Sequence, residues 1–445
     1  MESKILIKKA VLLSTIVLIF LSSLGSAFAQ DRFPRPEFES GYKRALTTTP
    51  APQEVFFEIF DIFVLIAALA LTSYFALKMR SRRAIFWMTV FSAAYFGFYR
   101  NGCICAIGSV QNVSAALFNP GFILPISVIA FFVIPLLFAL FFGRAYCASV
   151  CPLGAMQDLV LLKPFKVPRW LSDVLGIFPY LYLGFAVLFA ATGSAFIICR
   201  YDPFISIYRL TDNFETMLYS GGFIGLCVFI GRPYCRYLCP YGVLLGWMSS
   251  LSKKHVTTTP DSCVQCRLCE DACPFDHIDK PATGKVHEPR SKSLKRLTAI
   301  VIFIPIMALG TGWALSQMDY IFARAHPRVQ LAEEVMREDT GIEEETSLET
   351  RTFRTMGQAT EELMEEAKEI QRQFHIGGWI LGAFIGLFFG IKLIRFSMVR
   401  PQVDYEIDKT SCYSCTRCFD SCPNEHVRTG TLEERPLVNV EKIPA

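Results

Sequence analysis

Histidine is scarce in this sequence, with six residues among 445, and none of them lies in a motif that binds haem. A C-x-x-C-H stretch, the attachment motif of c-type haem, is missing. No pair of histidines on neighbouring apolar segments stands out as a haem b site, and no flavin-attachment sequence is visible. The sequence therefore gives no support for a haem or a flavin protein.

Charged residues are also sparse, at 19% of the chain. Hydrophobic residues reach 52%, phenylalanine alone numbers 39, and the mean hydropathy is +0.36. These values are high for a soluble protein. The composition indicates a membrane protein.

Cysteine is plentiful, with 16 residues, and eight of them form two copies of one motif. The pattern C-x2-C-x2-C-x3-C-P runs from Cys263 to Pro274 and again from Cys412 to Pro423, with about 140 residues between the copies. This is the bacterial ferredoxin motif, in which the fourth cysteine usually ligates the other cluster. Zinc knuckles and a disulfide framework are the alternatives, but zinc sites typically show C-x2-4-C pairs instead.

The spacing therefore predicts two [4Fe-4S] clusters held by a split ferredoxin. The expected ligands are Cys263, Cys266, Cys269 and Cys422 for the first cluster, and Cys412, Cys415, Cys418 and Cys273 for the second.

The fold expected from the apolar segments is mostly helical, with about seven transmembrane helices and a cytoplasmic 2[4Fe-4S] ferredoxin domain. The apolar stretches are near the ~20 residues that a bilayer needs, except that 220–231 is short unless it begins before Met217. The chain begins with a basic and apolar stretch typical of a signal peptide. An uncleaved first span is the alternative to cleavage after Ala29. The expected spans are 57–77, 84–99, 121–142, 174–198, 220–231, 297–316 and 377–396.

The organisation predicted from these spans has eight parts. They are a signal peptide at 1–29, an outer segment at 30–56, a membrane domain at 57–252, the first ferredoxin half at 253–292, a transmembrane helix at 293–318, an acidic outer helical insert at 319–375, a transmembrane helix at 376–398 and the second ferredoxin half at 399–445.

Lysine and arginine cluster at every second junction between spans, which sets the direction of the spans by the positive-inside rule. Basic residues follow the first span at Lys78 and Arg80, the third at Arg144 and the fifth at Arg232. Both cysteine runs then fall on the cytoplasmic side, where they can meet. We expect a multi-pass protein of the inner (cytoplasmic) membrane.

A second repeat lies in the predicted membrane domain. Residues 143–154 and 231–242 share the pattern G-R-x-Y-C-x3-C-P-x-G. Three interpretations remain open: a third cluster at the inner membrane face, redox dithiols, or structural thiols, since free cysteine is often buried. The four cysteines concerned are Cys147, Cys151, Cys235 and Cys239.

Three more cysteines, Cys103, Cys105 and Cys199, follow the second and fourth spans and are expected on the outer side. They could converge on a metal, a cluster or a disulfide, which an oxidising compartment favours. The stretch from Cys105 to Asn112 also echoes the stretch from Cys151 to Asp158.

Two features of the last part of the chain point to packing or docking. The insert 319–375 is rich in glutamate, so it is either a docking face for a basic carrier or a solvated helical hairpin.

The last span carries a stripe of four glycines at spacing four, which allows close packing against a neighbouring helix. We expect that neighbour to be the preceding span. The stripe consists of Gly378, Gly382, Gly386 and Gly390.

The paired C-x3-C-P motifs and the ferredoxin runs together resemble membrane polyferredoxins of the NosR/NapH type, over roughly residues 84–280 and 405–425. The resemblance implies electron transfer between a cytoplasmic-side or quinol donor and a periplasmic acceptor, such as a nitrogen-oxide reductase system. NosR-type proteins carry a large outer flavin-binding domain, whereas about 25 residues lie between the predicted signal peptide and the first span here. NapH-type proteins lack the last hairpin.

Two functions from different classes are compatible with these observations. The first is an electron carrier, with or without quinol oxidation of its own. The second is a redox-sensing or maturation factor for a periplasmic metalloenzyme. No nucleic-acid partner is expected.

Overall fold

The computed structural model describes residues 55–102, 105–119, 121–209, 214–257, 265–281, 290–342, 347–397 and 404–430. The predicted signal peptide, nearly all of the segment 30–56, and the cysteines Cys103 and Cys263 lie outside these residues. The described part is mostly helical, as predicted.

Twelve helices make up the described part of residues 55–252, and π-helical turns extend or connect three of them. The π-helical turns are Phe75–Met79, Ala93–Tyr99 and Tyr146–Val150. The helices are α1 Val55–Tyr74, α2 Arg82–Ser92, α3 Ala106–Phe118, α4 Ile126–Phe142, α5 Pro152–Leu159, α6 Arg169–Leu175, α7 Phe178–Ala191, α8 Ile197–Arg200, α9 Ile205–Arg209, α10 Phe214–Phe229, α11 Pro233–Tyr237 and α12 Pro240–Ser250.

The second part of the chain contains two long helices, a small helical insert and the ferredoxin halves. Its elements are α13 Leu268–Ala272, β1 Ile278–Asp279, α14 Arg290–Ser316, α15 Asp319–Ala323, α16 Pro327–Asp339, α17 Leu348–Thr355, α18 Thr360–Ser397, β2 Glu406–Ile407, α19 Arg417–Asp420 and α20 Pro423–Arg428.

Four helical segments of the described chain are long and apolar enough to cross a membrane. They are Phe56–Met79, Arg169–Ala191, Ser291–Ser316 and Thr360–Arg395. Shorter apolar helices cover Ala106–Phe118, Ile126–Phe142 and Phe214–Phe229. Helix α3 was not anticipated, because residues 100–120 lie between two expected spans.

The glycine stripe of α18 packs against α14, which confirms the expected neighbour. A Cβ atom at Gly378 would lie 2.8 Å from the Leu315 carbonyl oxygen, and one at Gly386 would lie 2.6 Å from Cα of Ala308. Both distances are too short for a real side chain. The hydroxyl of Thr311 donates to the Gly382 carbonyl at 2.6 Å, so the hairpin is held by close backbone contact.

The acidic insert folds as helices around a small apolar core of its own. Val335, Phe353 and Leu363 are buried together between α16, α17 and the first turns of α18. Arg354 pairs with Glu338 and Asp339 on the surface of the insert.

One hydrophobic cluster extends from the membrane helices into the ferredoxin part. It contains Leu65 of α1, Tyr146, Tyr234 and Tyr241 of the repeats, and Tyr413 of the second cysteine run. The repeats and the ferredoxin therefore share a continuous buried interior.

Candidate metal centres

The two ferredoxin halves meet in space although about 140 residues separate them in the chain. Strand β1 of the first half pairs antiparallel with β2 of the second, with Ile278 opposite Ile407. The N–H of Asp408 donates to the His277 carbonyl at 3.1 Å, and helices α13 and α19 pack against each other. Each half thus completes the other, as the cysteine spacing predicted.

Four cysteines from both halves line one cavity of the ferredoxin. Three belong to the second run and one, Cys273, is the last cysteine of the first run. The aromatic rings of Phe275 and Tyr413 form part of the same wall. The four cysteines are Cys273, Cys412, Cys415 and Cys418, the set that the spacing groups around the second cluster.

The backbone of both runs takes an unusual conformation at equivalent positions. Gln265 and Arg267 flank Cys266 with φ of 53° and 66°, and Ser414 and Thr416 flank Cys415 with φ of 53° and 62°. Non-glycine residues seldom adopt positive φ. Alternating conformations of this kind turn backbone N–H groups inward into a concave site for an anion, and the N–H of Ser414 donates to the Cys412 sulfur at 3.4 Å.

These features fit an iron–sulfur cluster bound by thiolates. Burial, together with the neighbouring Cys415, raises the pKa of Cys412 to about 12, and burial also raises the pKa of Cys273. Ligating thiols must be deprotonated. A positively charged metal core bound among these buried thiols would stabilise their deprotonated form. Burial lowers the pKa of His277 well below its ordinary value, so this imidazole is neutral beside the cavity.

The other predicted set is less enclosed. Cys266 is exposed, whereas Cys269 and Cys422 are half-buried. Cys422 caps the N-terminus of α20, and Pro423 occupies its first turn. Among the described residues, no three His, Cys, Asp or Glu side chains are arranged to hold a single metal ion.

The two C-x3-C-P motifs lie together in the interior of the helical body. Cys151 and Cys239 cap the N-termini of α5 and α12, and the N–H of Gly242 donates to the Cys239 sulfur at 3.3 Å. Burial and then the nearby charges of Cys235, Cys151 and Cys147 raise the pKa of Cys239. The four predicted cysteines are therefore close neighbours, and we call them the cysteine quartet.

An arginine from each repeat crosses to the other repeat. The Arg232 guanidinium is completely buried and donates to the carbonyls of Cys147 and Ala148. In the opposite direction, a Cβ at Gly242 would lie 3.0 Å from a terminal nitrogen of Arg144. Each G-R-x-Y-C arginine thus covers the partner motif and places positive charge beside the cysteine quartet.

Tyr413 joins the quartet region to the ferredoxin cavity. Its ring lies under both repeat guanidiniums, 4.8 Å from that of Arg144 and 5.5 Å from that of Arg232. Such contacts between a cation and an aromatic face are stabilising, more so away from water. Arg144 also donates to the Thr410 carbonyl at 3.2 Å. Tyr413, which lies between Cys412 and Ser414, is therefore held by an arginine from each of the two repeats.

A buried carboxylate, Asp158, anchors the same interface. Its oxygens lie 2.7 Å from Arg82, 3.0 Å from Arg417 and 3.6 Å from Arg232. Burial alone would raise the pKa of Asp158, but the charges of these three arginines outweigh it and hold the pKa well below its ordinary value. Arg417 belongs to the second ferredoxin run, so Asp158 ties that run to the helical body.

Two of the three cysteines expected on the outer side are also brought together. Cys105 caps the N-terminus of α3, and the Cys199 sulfur lies 3.2 Å from the position that a Cβ of Gly108 would take. Cys103 lies outside the described residues. Cys105 also interacts electrostatically with Cys151, a cysteine of the quartet.

Sequence reasoning missed several residues around these cysteines. Gln157 is fully buried and donates to the Cys235 sulfur at 3.2 Å. Cys227 is buried on α10 and interacts with Cys235. The sequence did point to Gln157, because a glutamine follows Cys105 and Cys151 at the same sequence separation, as Gln111 and Gln157.

Comparisons with known proteins match the same segments. A family described as a 4Fe-4S binding domain matches residues 124–172 and 213–259, which contain the two C-x3-C-P motifs. A second 4Fe-4S binding domain family matches residues 256–277, which contain the first ferredoxin run. Three segments of the chain are thus similar to 4Fe-4S binding domains.

Individual relatives cover part of the chain. YccM of Escherichia coli, a candidate electron transport protein, is 30% identical over 164 residues, or 33% of this chain and 44% of YccM. Protein NirI of Paracoccus denitrificans is 31% identical over 32% of this chain and 22% of NirI. Regulatory protein NosR of Pseudomonas aeruginosa is 26% identical over 42% of this chain and 28% of NosR.

These alignments span less than half the length of each of the three relatives. No solved structure matches the chain. The predicted resemblance to NosR-type proteins is confirmed: the chain is similar to membrane-associated, ferredoxin-type 4Fe-4S proteins that include NirI and NosR.

Proposed function

We propose that this ferredoxin-type protein relays electrons across a membrane, between a cytoplasmic-side or quinol donor and a periplasmic acceptor such as a nitrogen-oxide reductase system. The observation that carries the proposal is the packing of Arg144 and Arg232 against the ring of Tyr413. This contact joins the ferredoxin cavity to the cysteine quartet within one buried hydrophobic cluster. Electron transport is the role that the name of YccM gives, and the transfer of that role to this chain is part of the proposal.

The ferredoxin half of the proposal assigns two clusters to eight cysteines. Cys412, Cys415, Cys418 and Cys273 would hold one, in agreement with the cavity that they line. Cys263, Cys266, Cys269 and Cys422 would hold the other, by the spacing of the motif. Bound clusters of this type supply reversible one-electron oxidation and reduction.

The cysteine quartet would hold a third cluster. Its support is the match of the 4Fe-4S binding domain family to both C-x3-C-P segments and the grouping of four thiols, two of which, Cys151 and Cys239, stand at the N-termini of α5 and α12. Helix N-termini favour thiolates because of the positive end of the helix dipole. Arg144 and Arg232 add full positive charges there, and they shield the quartet from solvent because both are buried.

The proposed topology has seven spans with the ferredoxin on the cytoplasmic side. Basic residues at predicted cytoplasmic junctions are the ones that contact the ferredoxin: Arg80 pairs with Glu425, and Arg82 donates to the Cys415 carbonyl. This agreement supports one common side for the positive residues and the ferredoxin. The signal peptide and the eight-part organisation remain predictions.

The test is anaerobic purification of the full chain, with iron and sulfide counted and EPR spectra recorded. Two [4Fe-4S] clusters require about eight irons and three require about twelve. In vesicles, quinol or reduced ferredoxin supplied on one side should reduce an acceptor on the other. Zinc in place of iron, or a lack of transfer while the clusters are reduced, contradicts the proposal.

A redox-sensing or maturation role is the second candidate, favoured by the similarity to NosR of Pseudomonas aeruginosa, which is named a regulatory protein. In that case reduction of the clusters would stop within the protein. Clusters that stay reduced with every periplasmic carrier offered would favour this second function over the relay.

A further inference from the structure

Residues 162–170, which connect α5 to α6 and form the first residues of α6, leave three large apolar side chains in the open. Leu162 is 77% exposed, Phe165 is 47% exposed and Trp170 is 69% exposed. Exposed apolar side chains that stand close together mark a surface that contacts a partner or a membrane. We call residues 162–170 the surface segment.

The surface segment borders the ends of two apolar helices. The N–H of Phe165 donates to the Phe229 carbonyl at 2.7 Å, and the two rings stack with centroids 5.8 Å apart. Phe229 is the last residue of the apolar helix α10. Trp170 lies in the first turn of Arg169–Ala191, which is long and apolar enough to cross a membrane. Tryptophan is enriched at this level, where a membrane meets water.

Basic residues alternate with the apolar side chains of the surface segment. Lys163, Lys166 and Arg169 stand at intervals of three residues and are all exposed. The apolar stems of such side chains lie along apolar surface while the charged ends reach outward. Asp173 is the only acidic residue between positions 160 and 175. Aromatic and aliphatic side chains beside positive charges are typical of a segment in the headgroup region of an anionic membrane.

Two of these cations also contact the first ferredoxin half. Lys166 Nζ donates to Asp271 Oδ1 at 2.8 Å, and Arg169 Nε lies 3.8 Å from Asp276 Oδ2. Lys163 stands outside these two pairs. The surface segment therefore lies between the apolar helix ends and two carboxylates of the ferredoxin, and a negatively charged membrane surface would repel those carboxylates if the cations were absent.

We propose that the surface segment binds the headgroups of anionic phospholipids. Lys163 pairs with the lipid phosphate, while Lys166 and Arg169 screen Asp271 and Asp276 from it. Trp170 and Phe165 lie at the boundary between the headgroups and the acyl chains. This lipid site does not depend on the proposed relay, and it places the first ferredoxin half directly against the membrane surface.

The first test uses the full chain in lipid nanodiscs that contain phosphatidylcholine with or without phosphatidylglycerol. Native mass spectrometry should show that phosphatidylglycerol binds in preference to phosphatidylcholine. Lys163→Gln should weaken the binding of phosphatidylglycerol about fivefold, the usual effect of one basic residue near an anionic surface, and Lys163→Arg should retain it. The matched control is Lys368→Gln, which should change nothing, because Lys368 is an exposed lysine of the acidic insert with Glu369 beside it.

The fluorescence of Trp170 reports the depth of the surface segment. The chain contains five tryptophans, so the contribution of Trp170 is the difference between the unmodified protein and Trp170→Phe. Lipids brominated near the headgroup end of the acyl chain should quench this contribution more strongly than lipids brominated at the chain end. Acrylamide, a quencher in water, should have little effect on it.

A third measurement tests the screening role of Lys166. Lys166→Gln leaves Asp271 facing the lipid phosphate, and the two negative charges repel each other. Hydrogen exchange of residues 265–281 in this variant should be faster with phosphatidylglycerol than with phosphatidylcholine alone, whereas the unmodified protein should show little difference. Lys280→Gln is the matched control, because Lys280 pairs with Glu270 in the same ferredoxin half but lies outside the surface segment. Its exchange should not depend on the lipid.

Three outcomes overturn the proposal: equal binding of phosphatidylglycerol by Lys163→Gln and the unmodified protein, quenching of Trp170 by acrylamide but not by brominated lipid, or exchange in Lys166→Gln that is independent of the lipid. The second outcome would place the surface segment in water and indicate a protein partner instead. A failure of the relay is distinguishable, because none of these measurements follows electron transfer.

Discussion

The ferredoxin and the cysteine quartet both bring cysteines together from distant parts of the chain, but they hold them by different means. The ferredoxin uses backbone: residues with positive φ flank Cys266 and Cys415, and a short strand pair joins the halves. The quartet uses helix ends and buried arginines. The first ferredoxin run is also more open to solvent: Cys266 is exposed, whereas Cys147, Cys151 and Cys239 of the quartet and Cys415 of the second run are buried.

This difference indicates a division of tasks. An exposed cysteine run can meet a partner protein, and solvent around it reduces the influence of any one protein charge. A buried site between arginines senses those charges strongly, because the local dielectric is low. We infer that the ferredoxin exchanges electrons with donors and that the quartet sets the potential at which electrons continue. The predictions below test that division.

The largest effect is expected from Cys412→Ser. The variant should lose about four irons per chain and one EPR signal, because Cys412 lines the ferredoxin cavity. The quartet signal should persist, since the quartet cysteines lie on other elements. Loss of both signals together would mean that the two regions depend on each other for assembly, which contradicts the division.

The next effect is expected at the interface. Asp158→Asn leaves Arg232 buried without its carboxylate, and removal of one partner from a buried ion pair costs about 3–5 kcal/mol. We expect a lower thermal midpoint of unfolding and faster proteolysis of the second ferredoxin half. The matched control is Asp271→Asn, because Asp271 pairs with Lys166 at the surface, where such pairs contribute little to stability. Equal effects of the two variants would contradict the anchoring role of Asp158.

A smaller effect is expected from Tyr413→Leu, which removes the aromatic face beneath Arg144 and Arg232. Two contacts of this kind contribute about 1–4 kcal/mol together. Electron transfer between the quartet and the ferredoxin, followed by flash reduction, should slow down while both signals remain. Tyr413→Phe keeps the ring and should behave like the unmodified protein; a slow Tyr413→Phe variant would indicate a role for the hydroxyl instead.

The smallest effect is a pH dependence of the interface. Asp158 has a lowered pKa in the folded state, so its stabilising contribution is complete above the ordinary pKa of about 4 and is lost as the pH falls toward the lowered value. The unfolding midpoint, measured between about pH 5 and pH 2, should fall less steeply in Asp158→Asn. Parallel curves for the two proteins would show that another group controls acid stability.

The sequence predicted the parts of the site that depend on local spacing. The two C-x2-C-x2-C-x3-C-P runs indicated a split ferredoxin, and the halves meet through Ile278 and Ile407. The glycine stripe of α18 indicated close packing, and α14 is its neighbour. Both predictions rest on patterns within a single segment.

The rest depends on contacts between distant segments, which no single segment reveals. The crossing of Arg144 and Arg232 is visible only when both repeats are folded against each other. Asp158 looked like one more polar residue, because its three arginines come from positions 82, 232 and 417. Cys105 was placed by span counting alone, whereas α3 and α5 begin inside the body and bring Cys105 near Cys151.

The pairing of β1 with β2 also constrains the order of biosynthesis. The ribosome completes Ile278 long before Ile407, and the hairpin of α14 and α18 lies between them. The first half must therefore wait, without its strand partner and without Cys422, until the hairpin has inserted and folded back. Cluster loading by the assembly machinery would then follow membrane insertion, and a translation product that ends before α18 would carry an open, oxygen-sensitive half-site.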